Sequence, residues 1–311
     1  MNNPIKSSHF HPLAQLPVLI LIVFVCGFVS VAVGFAIFSI FYGFTPMLKM
    51  LTTMGQNMDL SLIRMLQISS TIGFFILGPL VYAKIDKYNV REYFKLNAKI
   101  NPILILLTVL IVLFSSPLLE FTNTLNQKMS LPSFLQNLED WMKHKELEAE
   151  ALTQQLLLMK GYKDLAINLL MIAILPAIGE ELFFRGTIQN IFTHLFKNPH
   201  VAIWLTAILF SAIHVQFYGF LPRMFLGALL GYLFFWGKSI WLPILGHFLN
   251  NGFAVVMAFK LQQEGKSISE VENTVPLSWY VGLLSAMLTF GLILIYFKQA
   301  SYPKNQITYE R

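Results

Sequence analysis

The stretch Ala177-Ile-Gly-Glu-Glu-Leu-Phe-Phe-Arg185 places two adjacent carboxylates and an arginine at the end of a largely apolar run, residues 165–178. An ionised side chain costs about 2.5 to 3.5 kcal/mol at the centre of a membrane helix on insertion scales. Three such groups in one short segment therefore indicate a function that requires them there.

Helical geometry divides these three groups into a pair and a single acid. Glu181 and Arg185 lie at i and i+4 with the acid N-terminal, which is the favourable order for an ion pair. Glu180 is rotated by about 100° from Glu181 around the helix axis, so it cannot share this pairing equally. We therefore predict that Arg185 neutralises Glu181 and that Glu180 is left for chemistry. The alternative is a buried structural ion pair with a second acid facing water.

The composition is that of an integral membrane protein. Of the 311 residues, 56% are hydrophobic and 12% are charged, and the mean hydropathy is +0.62, whereas soluble domains carry about 25% charged residues. The single cysteine, Cys26, excludes an intrachain disulfide. The net charge of +6 comes from lysines in loops, and no basic stripe with interleaved aromatics indicates nucleic-acid binding.

The hydropathy pattern predicts an all-α fold, a polytopic membrane helical bundle of about eight transmembrane helices. The expected spans are residues 18–42, 61–83, 102–121, 165–196, 199–214, 220–236, 240–259 and 277–297, with a turn at Lys197-Asn-Pro199 before the fifth. Pro117 is expected to kink the third span, and Gly227 and Gly231 give the sixth a small-xxx-small packing face. We divide the chain into an N-terminal part with the first three spans (1–164), a core that carries the acidic stretch (165–260) and a last span with a tail (261–311).

The one long section outside these spans, residues 122–164, contains a second kind of helix. Apolar residues recur at near-helical spacing among acids and lysines over residues 134–159. This pattern predicts an amphipathic helix that lies on the membrane or caps the bundle. A role in gating substrate is the alternative.

An even number of spans puts both termini on one side of the membrane, and the basic residues indicate which side. The side that holds the termini also holds most of the basic residues: Lys6, the basic loop 84–99, Lys197, Lys238, Lys298, Lys304 and Arg311. Because cytoplasmic loops are enriched in Lys and Arg, we expect both termini in the cytoplasm, with the protein in a bacterial plasma membrane.

Two histidines fall well inside apolar spans, out of seven in the chain: His214 and His247. Each could simply make a hydrogen bond between helices. However, Glu180 lies eighteen residues before Asn198 and His214 lies sixteen after it. In a helical hairpin, these two groups would stand within about 3 Å of the same height at 1.5 Å per residue. Two titratable groups level with each other inside a membrane indicate a site.

Three short motifs follow one another along the apolar spans. Glu180-Glu181-x-x-x-Arg185, Phe210-x-x-x-His214 and His247-x-x-x-Asn251, in this order, resemble the three signature motifs of the CPBP family. This is the CAAX-protease and bacteriocin-processing (Abi) family of intramembrane proteases, related to the eukaryotic Ras-converting enzyme. The resemblance covers about residues 165–259 and shows no departure at the motif positions.

The resemblance implies an intramembrane endopeptidase whose partners are the lipid bilayer and a membrane protein or peptide substrate. Glu180 and His214 would activate a water, with Glu180 as general base. His247 and Asn251 would donate hydrogen bonds to the tetrahedral oxyanion. Glu181 and Arg185 would be supporting groups.

The cofactor is left open by the sequence. Glu180, His214 and His247 could supply a two-histidine, one-carboxylate set for zinc, although no H-E-x-x-H pair is present. Metal-free chemistry is slightly preferred because Asn251 is a poor zinc ligand and a good oxyanion donor. The alternative functions are a non-catalytic membrane scaffold or bacteriocin-immunity protein of the same fold, and a proton-coupled transporter.

Overall fold

The structure is a computed structural model that describes residues 10–52, 59–266 and 278–301, and every regular element in these ranges is a helix. We number them as follows: α1 Pro12–Tyr42, α2 Thr45–Thr52, α3 Leu60–Ile85, α4 Val90–Tyr93, α5 Pro102–Gln127, α6 Gln136–Leu157, α7 Tyr162–Phe196, α8 Pro199–Ala212, α9 Phe220–Gly237, α10 Trp241–Gln263 and α11 Trp279–Ser301.

The predicted fold class is confirmed. Among the described residues, seven helices are long and apolar enough to cross a membrane: α1, α3, α5, α7, α9, α10 and α11. The fifth expected span, α8, has only 14 residues, which corresponds to about 21 Å at 1.5 Å per residue. Since the hydrocarbon core is about 30 Å thick, α8 is too short to cross it in full. The expected start of the last span at Leu277 and the basic residues Lys6, Lys304 and Arg311 lie outside the described residues.

The turn that joins α7 to α8 forms where the sequence predicts it. Lys197 adopts a left-handed conformation with a φ of 52° and ends α7. Asn198 then caps α8, because its Oδ1 accepts from the backbone N–H groups of His200 and Val201. Pro199 follows in the first helical turn, where its missing N–H costs nothing. The hairpin therefore brings the ends of α7 and α8 together.

The backbone of α5 is bridged by a side chain close to Pro117. The hydroxyl of Ser285, on α11, accepts from the backbone N–H of Leu118 and donates to the carbonyl of Phe114. A proline inside a helix disturbs the hydrogen bonds of the preceding turn, and this hydroxyl bonds to backbone groups on both sides of it. The pairing also fixes α11 against α5.

The small-residue face of α9 permits close packing, as its sequence predicts. A Cβ atom on Gly227 would lie 3.2 Å from the Cα of Ala207 on α8, and one on Gly231 would lie 2.9 Å from Ile203 Cγ2 on α8. Both contacts are tighter than normal, so only glycine allows this approach of the helices.

The same two glycines expose their carbonyls to α7. Arg185 Nη2 donates to Gly227 O at 2.8 Å, and one turn further along, Gln189 Nε2 donates to Gly231 O at 3.2 Å. Arg185 is completely buried, and its Nη1 donates to Glu181 Oε1 at 2.6 Å. The predicted ion pair is therefore also the link between α7 and α9.

The amphipathic helix α6 packs over the bundle at both ends. Near its start, the ring of Trp141 lies 5.5 Å from that of Phe217, and Glu146 Oε2 accepts from the backbone N–H of Tyr218. Near its end, Leu156 is buried in a cluster with Met171 of α7. These contacts favour a helix that caps the bundle, while Leu147, in its middle, is 65% exposed.

Removing the charge of Arg185 is expected to destabilise the protein. Arg185→Met replaces the guanidinium with an unbranched, apolar side chain. Glu181 is then left as an uncompensated buried charge, which costs about 3 to 5 kcal/mol. We expect a lower thermal unfolding temperature in detergent and less folded protein in the membrane. Both can be measured by fluorescence-detected size-exclusion chromatography after heating.

A matched control is available on α6. Lys145 and Glu148 form an ion pair of almost the same length, 2.7 Å, but with exposed side chains. Exposed pairs contribute little to stability, so Lys145→Ala should leave the unfolding temperature unchanged. Equal stability of Arg185→Met and wild type would show that the buried pair does not link the helices.

Candidate active site

The residues singled out from the sequence line one cavity. Its volume is about 310 Å³, and its wall comes from α6, α7, α9, α10 and the end of α8. The polar side chains that line it are Glu180, His214, Arg223, His247, Asn250 and Asn251. All four residues expected to be catalytic therefore face a common space, and Glu180 and His214 reach it from the two arms of the predicted hairpin.

The carboxylate of Glu181 accepts hydrogen bonds from two side chains, those of Arg185 and His247. Its Oε1 accepts from Arg185 Nη1 at 2.6 Å and also from His247 Nδ1 at 2.8 Å. Its second oxygen, Oε2, is buried and accepts no hydrogen bond from the described residues. Since a carboxylate only accepts, Nδ1 of His247 must carry its proton. The sequence predicts the pair with Arg185, but not that the same oxygen orients the ring of His247.

Glu180 takes no part in the ion pair with Arg185, as the helical spacing predicts. Its Oε2 is buried without a hydrogen-bond partner among the described residues and lies 3.9 Å from Nε2 of His247. The side chain is 15% exposed, whereas that of Glu181 is completely buried. The cavity therefore contains one carboxylate with unused acceptor capacity.

Asn251 is positioned by a proline on the neighbouring helix. Pro176 has no N–H, so the carbonyl of Ile172, four residues earlier, lacks its α-helical donor. Asn251 Nδ2 donates to this carbonyl at 3.0 Å, and its Oδ1 accepts from Asn250 Nδ2. The backbone of α7 is π-helical over Leu169–Ile174, around the same carbonyl. Because an amide NH₂ has two donors, one N–H of Asn251 is left for a ligand.

His214 lies beyond the end of its helix rather than on it. The sequence places it at the end of the fifth span, but α8 ends at Ala212, and the chain turns at Val215 with a φ of 53°. His214 Nδ1 still bonds the carbonyl of Phe210 at 2.7 Å. Because a carbonyl only accepts, Nδ1 carries the proton, and a neutral ring keeps Nε2 as an acceptor.

The ring of Phe210 contacts three of the site's polar groups. It packs edge-to-face against His214 and His247, with ring centroids 5.2 and 5.9 Å apart. The guanidinium of Arg185 lies over its face, 4.8 Å from the centroid, where a cation–π attraction operates. This explains why an aromatic side chain belongs at Phe210: it separates the buried ion pair from the cavity.

The zinc set considered from the sequence does not assemble in this arrangement. Within residues 10–52, 59–266 and 278–301, no three His, Cys, Asp or Glu side chains are grouped so that they could hold a metal ion. His247 Nδ1 is bound to Glu181 and His214 Nδ1 to Phe210, which leaves one nitrogen on each ring. Glu180, His214 and His247 share the cavity, but they are not grouped as a metal-ligand set among the described residues.

Arg223 is the group in the cavity that the sequence reasoning missed. It lies in the first turn of α9 and donates to Gln216 twice, to the side-chain Oε1 at 2.8 Å and to the backbone O at 3.3 Å. The sequence does contain a sign of its importance, because Arg223 is a charged residue in an apolar span, and the same observation singled out Glu180.

A comparison with protein families supports this arrangement of residues. Residues 162–253 match the family described as "Type II CAAX prenyl endopeptidase Rce1-like". This segment runs from the start of α7 into α10 and includes the four cavity residues expected to be catalytic. No significant match is found among curated proteins or solved structures. Residues 162–253 are therefore similar to the Rce1-like CAAX protease family, and this similarity supports an intramembrane peptidase of the CPBP type.

Proposed function

We propose that this protein is an endopeptidase that cleaves membrane-associated substrates with a water activated by Glu180 and His214. The tetrahedral oxyanion is stabilised by His247 and Asn251. The observation that carries the proposal is the common cavity of these four side chains, with Glu180 Oε2 free of hydrogen-bond partners among the described residues. The family match of residues 162–253 supports peptide hydrolysis as the reaction.

The arrangement of acceptors suits the activation of a water. Glu180 lines the cavity with a side chain that is 15% exposed, and His214, with Nδ1–H bound to Phe210, offers the lone pair of Nε2. A water between them donates one O–H to each acceptor, which leaves its oxygen lone pair for attack on a carbonyl carbon. Glu180 takes the proton as the new C–O bond forms and passes it to the leaving amine as the C–N bond breaks.

Asn251 and His247, the two donors of the oxyanion site, differ in the protonation that hydrogen-bond donation requires. Asn251 has one N–H beyond the bond to Ile172 and needs no change of protonation. His247 already donates Nδ1–H to Glu181, so Nε2 donates only when the ring carries both protons. The carboxylates of Glu181 and Glu180, at 2.8 and 3.9 Å, are the counter-charges of that imidazolium. Donors held in place before the reaction stabilise the developing charge without reorganisation.

The cap helix α6 completes the cavity. Thr153 and Leu157 contribute part of its wall, and Leu157 O accepts from Gln262 of α10. A wall of this kind excludes bulk water, which strengthens the electrostatic interactions inside.

Glu180→Gln is expected to abolish cleavage without affecting folding. The amide has nearly the same shape but cannot take a proton, and loss of a general base typically lowers the rate by about 10² to 10⁴-fold. The assay uses purified protein in proteoliposomes with a library of short acylated peptides, and mass spectrometry of the released fragments. Glu148→Gln, an exposed carboxylate on α6, is the matched control and should retain full activity. Full activity of Glu180→Gln would refute the proposed base.

Asn251→Ala is expected to lower turnover and leave substrate binding nearly unchanged. Removing one oxyanion donor costs about 10² to 10³-fold in kcat, and this donor acts on charge that develops only in the transition state. The measurement is kcat and KM for one peptide that wild type cleaves. Asn190→Ala is the control, because Asn190 also bonds a backbone carbonyl, that of Gly186, but does not line the cavity. A rise in KM at constant kcat would contradict the oxyanion role.

A further inference from the structure

We propose that a groove between α8, α9 and α11 binds an anionic phospholipid, with the phosphate near Lys238 and an acyl chain along α11. The groove lies where α8 begins and where α9 and α11 end, whereas the active-site cavity is reached by residues beyond the end of α8. The two spaces share no lining residue. The inference therefore goes beyond the proposed function and does not depend on it.

The groove has an apolar wall that is open at its side. Phe235 and Trp236 of α9 face Ile293, Leu294 and Phe297 of α11 across a volume of about 530 Å³, which is in the range of small-ligand sites. The rings of Trp236 and Phe297 lie 5.3 Å apart. Leu294 and Phe297 are 45% and 44% exposed, so an acyl chain can reach this wall from the lipid around the protein.

The polar side chains of the groove are located at the ends of the helices. His200 lies in the first turn of α8, Lys238 follows the last residue of α9, and Ser301 is the last residue of α11. The side chain of Lys238 is exposed and makes no hydrogen bond or ion pair with another described residue. The hydroxyl of Tyr232 lies 3.0 Å from His200 Nδ1. When this hydroxyl donates, the neutral ring carries its proton on Nε2, which is a second donor for an anion.

A second cation lies close to Lys238. The ammonium group of Lys95 is placed over the ring of Phe234, 4.5 Å from its centroid. Burial lowers the pKa of Lys95, and the charge of Lys238 lowers it further. No carboxylate among the described residues forms an ion pair with either lysine. An anion between the two ammonium groups would relieve this repulsion.

The charge of this end of the bundle also favours an anionic ligand. The loop 84–99 contains five basic and two acidic residues, and Lys197, Lys238 and Lys298 add three more cations. The six acidic residues of the section 122–164 lie at the opposite end, with the cap helix α6. The dipole of α9 favours a lysine at its C-terminus, but it does not account for the apolar groove beside Lys238. Basic pockets between transmembrane helices are typical sites for anionic headgroups.

A phospholipid fits both parts of the groove. Its phosphate pairs with Lys238 and His200, and its acyl chain covers the exposed faces of Leu294 and Phe297. The bound lipid would bridge α9 and α11, in addition to the hydrogen bond from the Tyr296 hydroxyl to Leu233 O. Since a ligand that binds only the folded state stabilises it, the lipid is expected to raise the unfolding temperature.

The test compares two lipids that have the same acyl chains and differ in net charge. Purified full-length protein in detergent is titrated with dioleoyl phosphatidylglycerol or dioleoyl phosphatidylcholine, and bound lipid is counted by native mass spectrometry. Wild type should bind the anionic lipid about fivefold more tightly or better, and this lipid should give the larger rise in unfolding temperature. Lys238→Gln should weaken binding of phosphatidylglycerol about fivefold and leave that of phosphatidylcholine unchanged.

Matched variants separate the groove from the charge of the surface. Lys87 is also exposed and left-handed at the end of a helix, with a φ of 59° against 53° for Lys238, but it does not line the groove. Lys87→Gln should therefore bind as wild type does. Leu294→Trp places a larger side chain in the groove and keeps both cations, so it should weaken lipid binding. Leu284→Trp, at a 58% exposed position of α11 outside the groove, is its control. Unfolding temperatures without lipid identify any variant that has lost its fold.

Three results would overturn the inference. Equal affinity of wild type for the two lipids would exclude recognition of charge. Equal losses in Lys238→Gln and Lys87→Gln would show that the charge of the whole surface attracts the lipid, and binding by Leu294→Trp at the level of wild type would exclude the groove. Displacement of phosphatidylglycerol by inorganic phosphate at equal concentration would contradict a role for the acyl chain. None of these measurements uses peptide cleavage, so their outcome is independent of the proposed function.

Discussion

The buried carboxylate of Glu181 is the constraint on which the rest of the structure depends. One of its oxygens holds both the guanidinium of Arg185 and the imidazole of His247, and a charge buried in this way must be paired to be tolerated. Arg185 in turn reaches the carbonyl of Gly227. A single carboxylate thus fixes the relative positions of α7, α9 and α10. It also leaves Glu180, its neighbour in sequence, as the acid that faces the cavity.

Backbone carbonyls provide the other fixed points of this apolar bundle. In the core of a membrane, no water satisfies a backbone N–H or C=O group, so each needs a partner in the protein. Pro176 frees the carbonyl of Ile172, which binds Asn251, and Gly231 lets its carbonyl approach Gln189. The residues of the site are therefore oriented by backbone groups of neighbouring helices. This makes their positions a property of the helix packing rather than of flexible loops.

Much of this arrangement follows from the sequence alone. Hydropathy identifies the long helices, and the i,i+4 spacing identifies the pair of Glu181 and Arg185. Counting residues from the turn at Asn198 places Glu180 and His214 at one height, and both line one cavity. These predictions succeed because they depend on local periodicity and on a single connection, which the sequence encodes directly.

The remaining features depend on contacts between distant segments. Nothing in the spacing of His247 indicates that its Nδ1 donates to Glu181, 66 residues away. The short length of α8 and the position of His214 in a turn follow from backbone conformation at Val215, a β-branched residue that sequence patterns do not assign to a positive φ. Arg223 could be noticed as a charge in an apolar span, but its orientation towards the cavity is set by Gln216.

We infer that Glu181 orients His247 for catalysis in addition to pairing with Arg185. Glu181→Gln tests it most directly, because the amide oxygen can still accept from both partners while the negative charge is lost. Turnover and KM of this variant, measured on the folded protein in detergent, separate the two roles. We expect a fall in kcat of about 10²-fold or more with little change in KM, as when the carboxylate behind a catalytic histidine is neutralised. A folded Glu181→Gln protein with the turnover of wild type would contradict it.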